Sequence, residues 1–295
     1  MLTYKFKCEN CGYTNTEQFA TLGDYRVEIP CPKCRATYRH VVKLVGYAQA
    51  KNELRKGHLV RFLENFSRVV DEFVIYDDGS DDGSQEVYKT YTDHIIQGPG
   101  NEFQHEAKMS QACLNYCRDV LNGDWCIWQD CDALFDRAAT DEGAIRKLID
   151  IANGPQYPMD AWRFHYVNTY LNPWWQRMDD RFNDLWAMAL FRLTPDLSYD
   201  LTPGLHRARH PEGIKEWRDQ TMSQIIHLGF ASPEWIEAKY RQYKPHQSGW
   251  ALNRLINTHG MELQKLPDDS FPSHWQPAPC DEKPSYDFSY LREEA

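Results

Sequence analysis

The chain has 295 residues, which suits one large domain with or without a small appendage. Hydrophobic residues make up 42% of it and aromatic residues 14%, so it can bury a sizeable core, and a fully disordered protein is excluded. The formal net charge of -10 argues against a generic nucleic-acid binder. No window approaches the roughly 18 apolar residues of a membrane span, and the start, "MLTYKFKCEN", lacks the apolar core of a signal peptide. We therefore expect a cytoplasmic protein without a membrane span.

Two C-x2-C pairs open the chain: "CENC" holds Cys8 and Cys11, and "CPKC" holds Cys31 and Cys34. Each pair can present two thiolates to one tetrahedral Zn²⁺, and the segment between them is long enough for a β-hairpin. So short a segment buries little core, and a metal would supply the missing folding energy. The pattern predicts a structural zinc ribbon over residues 1–40.

Strands and helices alternate from residue 41 onward. "VVKLVGYAQ" is a buried strand, "RKGHLVRFLENFSRVV" an amphipathic helix, and "EFVIYDDGSDDGS" a second buried strand that ends in acids and glycines. "DHIIQG", the helix "HEAKMSQACLNYCRDVLNG" and the strand "DWCIWQDCD" follow. Repeated strand–helix–strand units predict an α/β fold with a mostly parallel sheet flanked by helices.

Acidic residues follow three of these strands. The first strand runs into Glu53, the second into Asp77 and Asp78, and the last into Asp130 and Asp132. Ligands bind parallel sheets beyond the carboxyl ends of the strands, so these side chains are expected in one crevice. Gathered carboxylates repel each other unless a cation or hydrogen-bond donors lie among them. The pattern therefore predicts a ligand site.

The three strand endings, in this order and spacing, resemble the family 2 glycosyltransferases of GT-A fold. The resemblance extends well over residues 42–136 and loosely over 137–245, and it includes neither the cysteine-rich start nor the last fifty residues. We therefore divide the chain into a zinc ribbon (1–40), a GT-A domain (41–245) and a C-terminal extension packed on the body (246–295).

The resemblance implies a nucleotide-sugar donor, commonly linked to UDP. Asn52 and Glu53 would line the nucleotide pocket, and Asp77 or Asp78 would hydrogen-bond the nucleoside. Lys108 stands where the family often has a basic or polar residue near the donor.

The resemblance also implies a divalent metal, Mn²⁺ or Mg²⁺, at the Asp-x-Asp pair. Asp132 would bind the ion directly, and Asp130 would meet the ribose or the ion through water. Hard oxygen ligands suit these ions, which stabilise a departing diphosphate. Related enzymes often add a late histidine, for which His227 in "IIHLGF" ranks ahead of His206 in "PGLHRAR".

A single inverting transfer needs a general base for the acceptor hydroxyl. The loop "QRMDDRFND" offers Asp180 as the first choice, with Glu212 second. The acceptor itself is open between a hydroxymethylpyrimidine in DNA and a glycan precursor.

Two other functions remain alternatives. A degenerate, non-catalytic transferase-like binding protein would not need both Asp130 and Asp132. A nucleotidyltransferase normally needs a glycine-rich, basic phosphate loop near the first strand, and "AQAKNELRKG" matches that poorly.

Overall fold

We analysed a computed structural model of the chain. The structure describes residues 2–8, 10–19, 30–36, 38–40, 42–100, 102, 104–154, 158–179, 182–203, 210–245, 249–258 and 261–293. It divides into two compact units, Met1–Lys43 and Leu44–Ala295.

The first unit contains a three-stranded antiparallel sheet in the order β2-β1-β3. Its strands are β1 (Leu2–Cys8), β2 (Thr14–Phe19) and β3 (Tyr38–His40).

Both cysteine pairs of the first unit lie in tight turns of the same design. The amide of Gly12 donates to the Cys8 carbonyl at 2.8 Å, and the amide of Arg35 donates to the Cys31 carbonyl at 2.7 Å. Gly12 and Arg35 both adopt positive φ, at 68° and 61°. A residue with positive φ after each pair turns the chain back, which lets the two thiols of a pair face the same point.

The second unit is built on an eight-stranded sheet in the order β6-β5-β4-β7-β11-β9-β12-β8. In chain order its strands are β4 (Leu44–Ala50), β5 (Glu72–Asp77), β6 (Ile95–Gln97), β7 (Trp125–Trp128), β8 (Ala133–Phe135), β9 (Ala161–Asn168), β11 (Trp186–Arg192) and β12 (Trp217–His227). A separate two-stranded sheet pairs β10 (Trp175–Arg177) with β13 (Leu263–Lys265).

The helices are α1 (Leu59–Phe66), α2 (Ser84–Tyr88), α3 (Glu106–Asp119), α4 (Arg137–Thr140), α5 (Ala144–Asn153), α6 (Pro233–Tyr243), α7 (Gly249–Ile256) and α8 (Ser289–Glu293). Helix α1 lies close against β4 because Gly46 leaves room for the ring of Phe66. Helix α6 begins at an N-cap whose side chain, Ser232, accepts from the Trp235 amide, and Pro233 occupies its first turn.

The strand pairing of this sheet is parallel in one half and mixed in the other. Strands β6, β5, β4 and β7 are parallel neighbours, whereas β11 pairs antiparallel with both β7 and β9. Strands β9 and β12 are parallel, and the short β8 pairs antiparallel with β12. The predicted α/β fold is confirmed, and the antiparallel pairs of the second half add to it a feature that the sequence did not predict.

The last residues of the chain contribute to the core of the second unit. Phe271 packs with Trp174 and Ile226 in one buried cluster, while Phe288 and Leu291 join a second cluster. Within the described part of the chain, no helix has the length and apolar character needed to cross a membrane.

Candidate functional site

A cavity of about 1030 Å³ opens beyond the carboxyl ends of β4 and β7. Such an opening is where parallel sheets bind ligands, and it is large enough for a nucleotide-sized molecule. One wall is polar and comes from the turns after β4, β5 and β7. The other wall is largely aromatic, with side chains from β7, β9, α6 and the loops beside them: Trp128, Tyr166, Phe182, Phe230, Trp235 and Tyr243.

The turn after β4 is fixed by hydrogen bonds to the acidic loop after β5. Asn52 adopts a left-handed φ of 56°, its amide donates to the Ser80 hydroxyl at 2.8 Å, and its side-chain oxygen accepts from the Asp81 amide at 2.9 Å. The Leu54 amide donates to the Ser84 hydroxyl at 3.1 Å. These bonds hold Asn52 and Glu53 at the wall of the cavity.

The two adjacent aspartates at the end of β5 have different surroundings. Asp77 is fully buried and accepts from Gln85 and Gln97, each at 2.7 Å, as well as from Ser80. It holds the loop together and is not among the residues that line the cavity. Asp78 does line the cavity, and the amides of Gly100 and Glu102 donate to its carboxylate at 2.8 and 3.0 Å.

Lysines accompany the carboxylates of this wall. Lys56 pairs with the buried Glu53 at 2.6 Å, and Lys51 lies 3.6 Å from Asp78. Burial raises the pKa of Glu53, against the opposing charge of Lys56. The acids are thus partly neutralised before any ligand binds.

Pairing of β8 with β12 brings Asp132 to His227. Ala133 is the register partner of His227, and the Leu228 amide donates to the Asp132 carbonyl at 2.7 Å. The His227 Nε2 atom therefore lies 3.4 Å from the Asp132 Oδ2 atom. On the other side of the ring, Nδ1 lies 2.8 Å from the Asn168 Oδ1 atom. An amide oxygen only accepts, so Nδ1 carries a proton and Nε2 is the ring nitrogen that faces Asp132.

Lys239 of α6 meets the same pair. Its Nζ atom lies 2.7 Å from Asp132 Oδ2 and 3.4 Å from His227 Nε2. Burial would raise the pKa of Asp132, but the charge of Lys239, together with the neighbouring His227 ring, outweighs burial and holds that pKa well below its usual range. The same ion pair overcomes burial at Lys239 and raises its pKa.

A divalent metal fits part of this arrangement. A carboxylate oxygen and an imidazole Nε2, with the opposite Nδ1 oriented by an amide, are donors that Mn²⁺ accepts. Asp130 lines the cavity but does not join Asp132 and His227 in a compact set. Among the described residues, the four cysteines form the one set of three or more Cys, His, Asp or Glu ligand atoms that converge on a point. Asp132 and His227 could hold an ion whose remaining ligands come from elsewhere.

Gln129 stands out among the residues between β7 and the Asp-x-Asp pair. It is 1% exposed and lines the cavity. Neither its side-chain Nε2 nor its Oε1 atom has a hydrogen-bond partner among the described residues. Burying unpaired amide atoms is costly, so this side chain is suited to a group that enters the cavity.

The sequence profile described as Glycosyl transferase family 2 matches residues 50–208, more than half of the chain. The match includes the turn after β4, the acidic loop after β5 and the Asp-x-Asp pair. The chain belongs to glycosyl transferase family 2. It is therefore a glycosyltransferase. Enzymes of family 2 generally take nucleotide-sugar donors and divalent metals.

Two further comparisons add little. No curated protein matches the chain. Among similar solved structures is a 2.76 Å crystal structure, described as a glucose-1-phosphate thymidylyltransferase from Bacillus anthracis in complex with sucrose. It is 8% identical, with 72% of this chain and 99% of that chain covered at a TM-score of 0.34, and so distant a likeness carries no argument.

The structure brings together most, but not all, of the residues that the sequence singled out in this family 2 glycosyltransferase. Lys108 is exposed, pairs with Glu102 at 2.8 Å and does not line the cavity. Glu212 is exposed and its backbone bridges to Ser198, again away from the cavity wall. Asp180 and His206 lie outside the described residues.

Sequence reasoning missed three side chains of the site. Lys239 could have been found from its spacing from Trp235 and Tyr243, which puts all three on one face of α6. Gln129 precedes Asp130 directly, and a polar residue in an otherwise apolar strand end was the available signal. Asn168 is the last residue of β9, and nothing in its local sequence points to His227.

The first unit carries the second candidate site. The Sγ atoms of Cys8 and Cys34 are 3.4 Å apart, those of Cys11 and Cys31 are 3.7 Å apart, and all four lie within 4.8 Å of one another. Four thiolates about 2.3 Å from one Zn²⁺ lie roughly 3.7 Å from each other, so these distances fit a tetrahedral zinc ion.

Proposed function

We propose that this glycosyltransferase moves a sugar from a nucleoside diphosphate donor, with UDP as the first choice of nucleotide, to an acceptor hydroxyl. The observation that carries the proposal is the cavity beyond β4 and β7, whose polar wall comes from the strand endings that characterise the family. Its size suits the donor together with part of an acceptor.

The nucleoside would bind at the β4–β5 side of the cavity. Backbone amides hold the side chains of Asn52 and Asp78 there, and an ion pair with Lys56 holds Glu53, so they can accept from ribose hydroxyls or a base without rearranging. Asp130 would reach the ribose from the opposite turn. Asp77 would contribute to nucleoside binding only indirectly, because its carboxylate oxygens already accept hydrogen bonds from Ser80, Gln85 and Gln97.

The diphosphate would lie between this wall and α6. Asp132 and His227 would hold a Mn²⁺ or Mg²⁺ ion, with His206 as the second-ranked histidine. When bound, such an ion supplies Lewis-acid stabilisation of the departing diphosphate. Asn168 keeps the His227 ring turned so that Nε2 stays available to the cavity.

The acceptor would enter along the aromatic wall. We keep Asp180 as the proposed general base of a single inverting displacement, since Phe182 nearby in the chain lines the cavity. Its neighbour Asp179 forms a bidentate ion pair with Arg177, with N–O distances of 2.9 to 3.2 Å, and is therefore less suited to act as the base. Glu212 is the weaker candidate because it is exposed and away from the wall. Asp180→Asn should lower kcat by at least about 100-fold and leave nucleotide affinity unchanged.

The acceptor class is tested directly by offering two substrates. Transfer of labelled sugar to hydroxymethylated DNA, and not to unmodified DNA, would identify a modified pyrimidine as acceptor. Absence of transfer to that DNA with every donor tried would leave the glycan precursor as the proposed acceptor.

The four cysteines would hold a structural Zn²⁺ as a zinc ribbon. A closed site with four thiolate ligands leaves no open position for chemistry, and a metal stabilises a unit too small for a core of its own.

The central test is product analysis with a panel of nucleotide sugars and Mn²⁺. A glycosyltransferase releases a nucleoside diphosphate, whereas a nucleotidyltransferase releases pyrophosphate. We expect nucleoside diphosphate release from at least one donor and its loss by about 100-fold or more in Asp132→Asn. Release that is unchanged by this substitution would contradict the assignment of Asp132.

A further inference from the structure

The Lys239 ammonium lies where the candidate metal ion would be expected. It is 2.7 Å from the Asp132 Oδ2 atom, and that same oxygen is the one that faces His227 Nε2 at 3.4 Å. The ammonium is itself 3.4 Å from Nε2. One positive charge of the protein therefore already bridges the two side chains that are suited to hold a divalent cation.

The fold keeps this ammonium in the site. The Lys239 side chain is only 18% exposed, and its Nζ atom lies 4.9 Å from the centre of the Phe230 ring, a favourable position for a cation. Room for the three polar groups exists because residue 229 is a glycine. A Cβ there would come within 2.7 Å of His227 Nε2 and closer still to the other two polar atoms.

A divalent ion and this ammonium would compete for the same oxygen atom, Asp132 Oδ2. An ion bound to Asp132 Oδ2 would lie beside a positive charge that is already at hydrogen-bond distance from that oxygen. Two like charges at such a separation repel, most of all in a half-buried site. Phosphate oxygens of a donor, in contrast, can accept from the ammonium and draw it away from the carboxylate.

We propose that Lys239 is a resident counter-ion of Asp132 that a divalent cation has to displace, and that the displaced ammonium then binds the donor diphosphate. Metal affinity is consequently low in the absence of nucleotide and rises when a nucleoside diphosphate is present. This inference rests on the proposed function in that it takes the cavity to be the donor site.

The test is Mn²⁺ binding to the full chain without nucleotide, by titration calorimetry and by the electron paramagnetic resonance signal of free Mn²⁺, with the cysteine site loaded with Zn²⁺. Lys239→Gln removes the charge and keeps a hydrogen-bond donor for Asp132. We expect it to bind Mn²⁺ at least about tenfold more tightly than the unaltered protein. Lys239→Met serves the same purpose if the glutamine variant does not fold.

Lys56→Gln is the matched control, since Lys56 also pairs with a cavity carboxylate, Glu53, at 2.6 Å. It should change Mn²⁺ affinity by less than about threefold, because its charge is not on Asp132. Adding Asp132→Asn to Lys239→Gln should abolish the gain. Mn²⁺ affinity that is unchanged or weaker in both Lys239 variants would overturn the proposal.

The same samples separate this inference from the proposed function. Titration with a nucleoside diphosphate in buffer without added Mn²⁺ or Mg²⁺ should give a Kd at least about tenfold weaker for Lys239→Gln than for the unaltered protein. If nucleotide binds and sugar is transferred while Lys239→Gln alters neither affinity, the counter-ion proposal alone is wrong. If no nucleotide binds to the unaltered protein, the donor site itself is wrong.

Discussion

At the scale of single residues, the site depends on how neighbouring groups fix the charge and orientation of each side chain. Asn168 donates to the Phe182 carbonyl at 2.7 Å through its Nδ2 and accepts from His227 Nδ1 at 2.8 Å through its Oδ1. Because one end of the amide is anchored, the other end fixes the imidazole ring. Asp132 is likewise fixed as a carboxylate by the charge of Lys239. The chemistry of the cavity is therefore prepared by residues that need not touch a substrate.

The anchoring of His227 gives the first prediction. Asn168→Ala should weaken Mn²⁺ binding in the presence of nucleotide by about 10- to 100-fold, because His227 loses its orienting partner. Titration calorimetry measures the affinity. Asn183→Ala is the control, since that amide accepts from Gln176 and not from a cavity residue, and it should leave the affinity unchanged. Equal affinities in Asn168→Ala and the unaltered protein would contradict a role for His227 as ligand.

His58 gives a prediction about pH and stability. Burial lowers the pKa of His58 to about 3, and the ring packs 4.3 Å from that of Trp235. The unfolded chain protonates this histidine near its ordinary value of 6.5, so between these values the unfolded state binds more protons and stability falls as pH falls. From pH 7 to pH 5 this one group should lower the free energy of unfolding by about 2 kcal/mol. Urea unfolding at both pH values should show a smaller loss of unfolding free energy in His58→Gln than in the unaltered protein. An identical pH dependence in the two proteins would contradict this role of His58.

At the scale of elements, the sequence predicted the strands of the parallel half because each is a short buried apolar run that ends in turn residues. The observed strands Glu72–Asp77 and Trp125–Trp128 lie within the predicted stretches, and Leu44–Ala50 extends one residue beyond its own. The antiparallel pairing of β8 with β12 was not predictable in this way. Strand β8 has three residues, and its partner is about ninety positions further along the chain, so no local pattern signals it.

Like the strands, some site residues are marked by a local sequence pattern and others are not. Those that directly follow a strand could be found from sequence, since chain order fixes them at the carboxyl edge. Whether Asp77 or Asp78 faces the cavity depends on loop geometry, and Lys239 enters from a helix whose placement is decided by tertiary packing. The hydrogen-bond partner of His227 comes from β9, and a pattern read along the chain does not reveal which strands lie side by side.

The close approach of α1 to β4 gives an element-scale prediction. A Cβ at residue 46 would lie 2.5 Å from the Phe66 ring, which is fully buried and stacks on Phe62 at 5.1 Å. Gly46→Ala should therefore lower the free energy of unfolding by about 1 to 3 kcal/mol through overpacking. Val60→Ala, on the exposed face of the same helix, should change it by less than about 0.5 kcal/mol. Equal urea midpoints for the two variants would show that α1 is not packed as described.

At the scale of the whole molecule, every residue that lines the cavity belongs to the unit Leu44–Ala295, and the four cysteines belong to Met1–Lys43. The candidate donor site and the candidate zinc site thus belong to different units of the chain. The acidic net charge of -10 is consistent with a site that gathers carboxylates around cations.

This division predicts that zinc binding can be removed without loss of nucleotide binding. In the chain of 295 residues, replacing Cys8 and Cys34 by serine should remove one equivalent of zinc and leave the affinity for a nucleoside diphosphate within about twofold. Zinc content is measured by atomic absorption and nucleotide affinity by calorimetry. Retention of the zinc would contradict the four-cysteine site, and loss of nucleotide binding would contradict the independence of the two units.

The most direct test of the donor site is a crystal structure with Mn²⁺ and the nucleoside diphosphate that the release assay identifies. We predict the nucleoside beside Asn52 and Asp78, and the diphosphate between Asp132, His227 and Lys239, with anomalous density for Mn²⁺ within coordination distance of Asp132. A nucleotide bound outside the cavity, or bound in it with the diphosphate away from Asp132, would contradict the account.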